Sequence, residues 1–180
     1  MLGARCDPGR GNIMTDTSAP GNPNPPQDPN DQKPAAPVMR VLGQYVKDLS
    51  FENPGHSPVQ SQPNIDLGID VGAAPHADGN GLFEVSLKLS AKALADGKVM
   101  FISELDYAGL FQLQNVAQEQ LEPMLLIEAP RLLFPFARRI IAEITREGGF
   151  PPLLIDPVDF VALYQAQVRR ANTAGTPTQQ

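Results

Sequence analysis

The sequence predicts an α+β domain, a mostly antiparallel sheet of four consecutive strands packed by helices. Three observations carry this. Apolar and polar residues alternate most clearly where Phe83, Val85, Leu87 and Leu89 interleave with Glu84, Ser86, Lys88 and Ser90. Asp96-Gly97, a pair suited to a hairpin turn, separates that run from a second strand-like one. In the second half the apolar spacing becomes helical, with Phe136, Ile140 and Ile144 on one stripe. Strands in succession followed by helices give an α+β order rather than βαβ repeats.

Taken in order, residues 16–37 are dense in Pro, Asn, Asp, Gln and Gly and cannot bury enough apolar surface to offset ordering entropy. Residues 1–37 are therefore expected to be a disordered amino-terminal arm, 38–170 the folded domain and 171–180 a flexible tail. Met14 offers an alternative start, because residues 1–13 differ in character from the Pro- and Asn-rich stretch after them. Val38 to Phe51 reads as a long first strand, with Leu42 and Val46 on one parity and Val41, Tyr45, Leu49 and Phe51 on the other. Its end has two unlike faces, since Asp48, Ser50 and Glu52 alternate with Leu49 and Phe51 before Pro54 stops it. A Pro-, Ser- and Gln-rich crossing loop runs to Pro63, and Asn64 to Val71 is the second strand.

Gly72 to Gly81 reads as a flexible turn, the alternating run is the third strand, and Lys98 to Tyr107 is the fourth. Gln114 to Glu122 is expected as a short helix ended or redirected by Pro123, and a longer helix is expected from Pro135 to a stop at Gly148-Gly149. On that helix Arg139 and Glu143 are spaced to pair across one turn. Its stripe is widened by Ala137 and Ile141 beyond what one sheet requires. That width makes Ile140, Ile141 and Ile144 candidates for contact with another subunit. Phe150 to Leu154 is an apolar connector expected on the surface or in a groove. The last helix is expected to start with Asp156 as N-cap, Pro157 in first position and Asp159 near the positive end, burying Phe160, Leu163 and Tyr164.

Composition narrows the function. A net charge of −6 and a pI of about 4.8, with no basic stripe, argue against a nucleic-acid partner. The single cysteine, Cys6, rules out an intrachain disulfide and a thiolate metal cluster within one subunit, so no metal is expected and a reducing compartment is the simple reading. The amino terminus lacks the apolar stretch of a secretory signal, and no apolar run reaches membrane-spanning length. A cytoplasmic protein without direct membrane insertion is expected. Chemistry is hard to find: His56 and His76 lie in loops beside prolines, Glu52, Glu84 and Glu104 could share a face without unequal environments, and Gly79-Asn80-Gly81 lacks the strand and helix of a phosphate loop. No enzyme is expected.

Several stretches together resemble the SecB family of bacterial protein-export chaperones. They are Lys47 to Pro54 (Lys-Asp-Leu-Ser-Phe-Glu-Asn-Pro), Phe101 to Leu105, Ala108 to Phe111, Leu133 to Arg138, Gly149 to Pro151 and Pro157 to Phe160, in an order that runs from about Val38 to Gln167. The resemblance implies a four-stranded antiparallel sheet backed by helices and assembled as a dimer of dimers, a homotetramer. It also implies grooves for unfolded precursor proteins, no nucleotide or other cofactor, and delivery to the SecA motor. The zinc-bearing carboxyl-terminal segment of SecA contacts the acidic face of the sheet in this family. Position by position, the implied SecA contacts are Asp48, Glu52, Ile102 and Glu104. The shared parity of Asp48, Ser50 and Glu52, and of Ile102, Glu104 and Asp106, agrees with one carboxylate-rich surface across two strands. Candidate residues for a client groove are Phe51, Phe101, Phe111, Phe134, Phe136, Leu153 and Leu154. The sequence departs from the family in lacking tryptophan, which some members carry after the first strand. A reading from another class is a sheet-and-helix scaffold module that binds one folded partner.

Overall fold

The computed structural model describes residues 36–55 and 62–174, the last four by their backbone alone. The expected amino-terminal arm, except for Ala36 and Pro37, lies outside the described residues, as do His56 and the end of the expected tail. Four strands, β1 (Val38–Glu52), β2 (Asn64–Pro75), β3 (Leu82–Ala95) and β4 (Lys98–Gln114), form one sheet in the order β1-β4-β3-β2. Every neighbouring pair is antiparallel.

Turn chemistry closes the centre of the sheet. Ala95 pairs with Lys98, so the β3–β4 hairpin has a two-residue loop, and Asp96 (φ 52) and Gly97 (φ 71) both adopt the left-handed backbone such a loop demands. β4 then continues to Gln114, where the sequence predicts a helix start instead. The alternation sorts β3 cleanly: Val85, Leu87 and Leu89 are almost wholly buried under the helices, while the even-numbered residues face away from them.

β1 is less regular. Its register with β4 shifts between Val41 and Gly43 and again between Val46 and Asp48. Each extra residue exchanges the faces of the strand beyond it. Val46 pairs with Tyr107 and joins Val41, Leu49 and Phe51 on the helix side, whereas Tyr45 pairs with Ala108 and turns to the open side. The single parity read from sequence is corrected to this split.

The helical half is one path, not two separated helices. α1 (Gln118–Pro123), a π-helical turn (Met124–Glu128) and α2 (Ala129–Glu147) succeed one another without a break. Met124 and Ala129 at the joints keep right-handed helical backbone. Pro123, Pro130 and Pro135 each lack the N–H of an α-helical ladder, and the re-spaced bonds of the π turn lie between the first two. Pro135 lies inside α2 rather than at its start.

α2 lies mainly over β4 and β3 and buries Leu133, Phe134, Ala137, Ile141 and Thr145. Ile141 is fully buried in the subunit, so the expectation that it meets another subunit is corrected; its side faces the sheet. Ile140 and Ile144 are half-buried, and Leu132 and Phe136 are exposed. α3 (Phe160–Ala174) is capped by Asp159, whose Oδ1 accepts from the N–H groups of Val161 (3.0 Å) and Ala162 (3.1 Å). Asp156 and Pro157 stand in the lead-in, so the N-cap moves three positions along from the expected one. The helix runs to Ala174, into the segment expected as tail.

Candidate functional site

The sheet presents two different surfaces at its β1–β4 end. On the open side, register places Asp48 opposite Asp106, Ser50 opposite Glu104 and Glu52 opposite Ile102. Two strands that are 46 or more residues apart in sequence thereby gather four carboxylates around one isoleucine. β3 adds a cation: Lys88 Nζ lies 4.0 Å from Asp106, and Ser86 donates its hydroxyl hydrogen to the same carboxylate.

Two depressions mark this surface. One, of about 540 Å³, is lined by Asp48, Asp70, Lys88, Glu104, Asp106 and Arg170 among others. The second, of about 320 Å³, lies between Asp66, Gly68, Lys92, Ile102 and Glu104. Gly68 opens both, because a Cβ there would stand 2.4 Å from Ser90 Oγ. Carboxylates around an accessible isoleucine attract a partner that offers cations and an apolar contact, with an affinity that salt weakens.

Glu84 shares the open face but not this site. It pairs opposite Leu110 while Glu52 pairs opposite Ile102, a separation of about 26 Å along β4 at the usual strand rise. Its carboxylate accepts hydrogen bonds from Lys47 Nζ (2.6 Å) and from the Tyr45 hydroxyl. Those two donors, Lys47 first, hold the Glu84 carboxyl below the usual carboxylate range, and the bond to Glu84 raises both Lys47 and Tyr45. The three glutamates expected to share a face do share it, but Glu84 stands apart from Glu52 and Glu104.

On the helix side of the same strands lies an aromatic cluster. The rings of Phe51 and Phe101 are stacked at 5.7 Å, Phe101 and Phe150 lie 5.1 Å apart, and Phe51 and Phe150 lie 6.4 Å apart. Ala91, Ala93 and Ala95 of β3 are short, which leaves room for these rings. Beside them is an apolar cavity of about 290 Å³ lined by Pro63, Ile65, Met100, Phe101, Phe150, Pro151, Pro152 and Leu153.

The walls of this groove are fixed by hydrogen bonds. Thr145, wholly buried, accepts from the Leu153 N–H at 2.9 Å and donates to the Ile141 carbonyl at 2.9 Å, tying the connector to α2. Asn53 Nδ2 donates to the Gly148 carbonyl at 3.1 Å and joins the end of β1 to the end of α2. Glycine at 148 lets the Phe51 ring lie against the end of α2, since a Cβ would stand 2.3 Å from the ring and displace it.

Of the seven groove candidates, the structure brings Phe51, Phe101 and Leu153 together here. Phe111 is fully buried in the main core, and Phe134 packs edge-on against Phe160 at 5.9 Å, so both are corrected to core residues with almost no surface to offer. Phe136 lies on another side of α2, stacked with Tyr107 at 6.5 Å, and Leu154 points outward at 68% exposure. Sequence reasoning put the connector from Phe150 on the surface or in a groove without naming Phe150 as a lining residue, and it missed Met100 and Ile65. Phe150-Pro151-Pro152 was the available signal, because an aromatic before two prolines in a connector is fixed in place but has no helix or strand face to occupy.

Comparison with known proteins agrees with the fold. A family model described as preprotein translocase subunit SecB matches residues 32–171. The chain is 82% identical over 158 residues to the protein-export protein SecB of Hyphomonas neptunium, covering 88% of this chain and 93% of that one. It is 56% identical over 154 residues to the protein of the same name from Maricaulis maris, covering 83% and 88% of the two chains. Among solved structures, a SecB-like chaperone of Mycobacterium tuberculosis in complex with an antitoxin peptide shares the fold, with a TM-score of 0.58 at 13% identity over 67% of this chain and 90% of that chain.

Proposed function

The chain belongs to the SecB family, and from that premise we propose that it is an ATP-independent holdase of protein export. In this reading it binds unfolded precursor proteins in apolar grooves, keeps them translocation-competent and delivers them to SecA in the cytoplasm. The observation that carries the reading is the opposition of two surfaces on β1 and β4, an aromatic groove on the helix side and a carboxylate-rich face on the other. Unfolded chains share no sequence beyond exposed apolar side chains, and each large one buried in such a groove contributes about 1.5–3 kcal/mol before ordering costs. Asp48, Glu52, Ile102 and Glu104 are the SecA-docking residues in this account. A basic, zinc-bearing segment suits them by charge.

Assembly belongs to the same proposal. Val41, Leu42, Val46 and Leu49 of β1 and Leu132 and Phe136 of α2 are exposed, on an edge strand and the helix beside it. A second copy of the chain is the occupant that fits a self-complementary apolar edge, and a dimer of dimers would line up several grooves for one long client. The scaffold reading has no observation of its own in favour. The test is suppression of aggregation of an unrelated unfolded protein at stoichiometric concentrations without nucleotide. Protection is expected; light scattering that rises as fast with the protein as without it would sink the proposal.

A further inference from the structure

The open face carries a feature that SecA docking does not use. Gln167 of α3 donates from Nε2 to Asp70 Oδ1 at 3.0 Å and to the Val71 carbonyl at 3.5 Å, which ties the helix to the outer edge of β2. Just under one helical turn further on, Arg170 lines the same depression as Asp48, Asp70, Glu104 and Asp106. Four carboxylates there face two cations, Lys88 from the sheet and Arg170 from the helix. Lys88 belongs to β3 and cannot leave, whereas Arg170 sits near the end of a helix whose Gln167 amide reaches this edge.

We propose that the end of α3 is a tethered occupant of the acidic face, with Arg170 standing where a basic side chain of an incoming partner must go. The inference rests on reading that face as a docking surface and adds its regulation: the partner binds after α3 is displaced, so apparent affinity is the intrinsic affinity multiplied by the fraction of molecules in which the face is open. Guanidinium suits the role because its planar donors satisfy carboxylates at several angles. Salt should release the helix and weaken the partner together.

The test uses the full-length assembled protein and two probes, purified SecA and an octa-arginine peptide. Arg170→Ala removes the occupant, Gln167→Ala removes the tether without changing charge, and Arg146→Ala, at the far end of α2, controls for charge alone. Both α3 variants should speed amide hydrogen exchange in the second half of α3. They should bind each probe about two- to tenfold more tightly at low ionic strength, the range expected when half to nine-tenths of the faces are occluded. Arg146→Ala should change neither. Unchanged exchange, or a gain in Arg170→Ala no greater than in Arg146→Ala, would overturn the proposal, as would Gln167→Ala without any gain. If octa-arginine shows the gain and SecA binds no variant, tethered occupancy stands and the SecA reading falls; SecA binding that Glu52→Lys abolishes, with no gain in either α3 variant, gives the reverse.

Discussion

The two sides of β1 and β4 share a backbone but are held by different forces. The helix side is built from contacts that exclude water: Phe51, Phe101 and Phe150 against one another, a glycine at 148 to admit a ring, and a buried threonine that pins the connector. The open side is built from groups that water screens, with carboxylates at Asp48, Glu52 and Glu104 exposed. Changes on the first side therefore act on folding and binding together, while changes on the second act on binding with the fold intact.

The largest effect should come from the groove. Phe101→Ala removes a ring that is 96% buried and touches two others, so unfolding in urea should show a loss of about 3–5 kcal/mol together with reduced client holding. A full-strength holdase at wild-type stability would mean that the cluster serves neither purpose. Next in size is Phe136→Glu, at a side chain 46% exposed on the rim of α2. The charge should shift native mass from the proposed tetramer toward smaller species while the circular dichroism of the subunit is retained, because Ile141 and Leu133 are fully buried whereas Phe136, stacked on Tyr107, keeps an exposed face.

The smallest effect should be that of Glu84→Gln on the open side. The pair with Lys47 is partly exposed, so its loss should cost about 0.2–1 kcal/mol near neutral pH. The lowered Glu84 carboxyl contributes stability above its unfolded pKa and loses it as pH falls through the folded one; the raised Lys47 amine contributes below its unfolded pKa and loses it as pH rises through the folded one. The gap between variant and wild type in thermal melts should thus be widest near neutrality and close toward both extremes.

Legibility in the sequence obeyed the same division. β3, β4 and their turn were readable because alternation and Asp96-Gly97 are local signals, and the acidic face was readable because parity survives at Asp48, Ser50 and Glu52. The bulges of β1 were not, since a bulge exists only relative to the partner strand and moved Tyr45 and Val46 to opposite faces from those read. Pro123 looked like an end and Pro135 like a beginning because a π turn leaves no mark in spacing. Among apolar residues, sequence could not say which of two clusters each joins: Phe111 and Phe134 went to the main core, while Phe150 went to the groove.

The central claim is that one sheet separates client capture from partner docking on its opposite sides. Glu52→Lys, titrated in parallel with SecA and with an unfolded precursor, tests it most directly. The account predicts at least a tenfold loss of SecA affinity, about 1.4 kcal/mol, with tetramer mass and precursor protection unchanged. Equal loss of both activities, or SecA binding as tight as wild type, would contradict it.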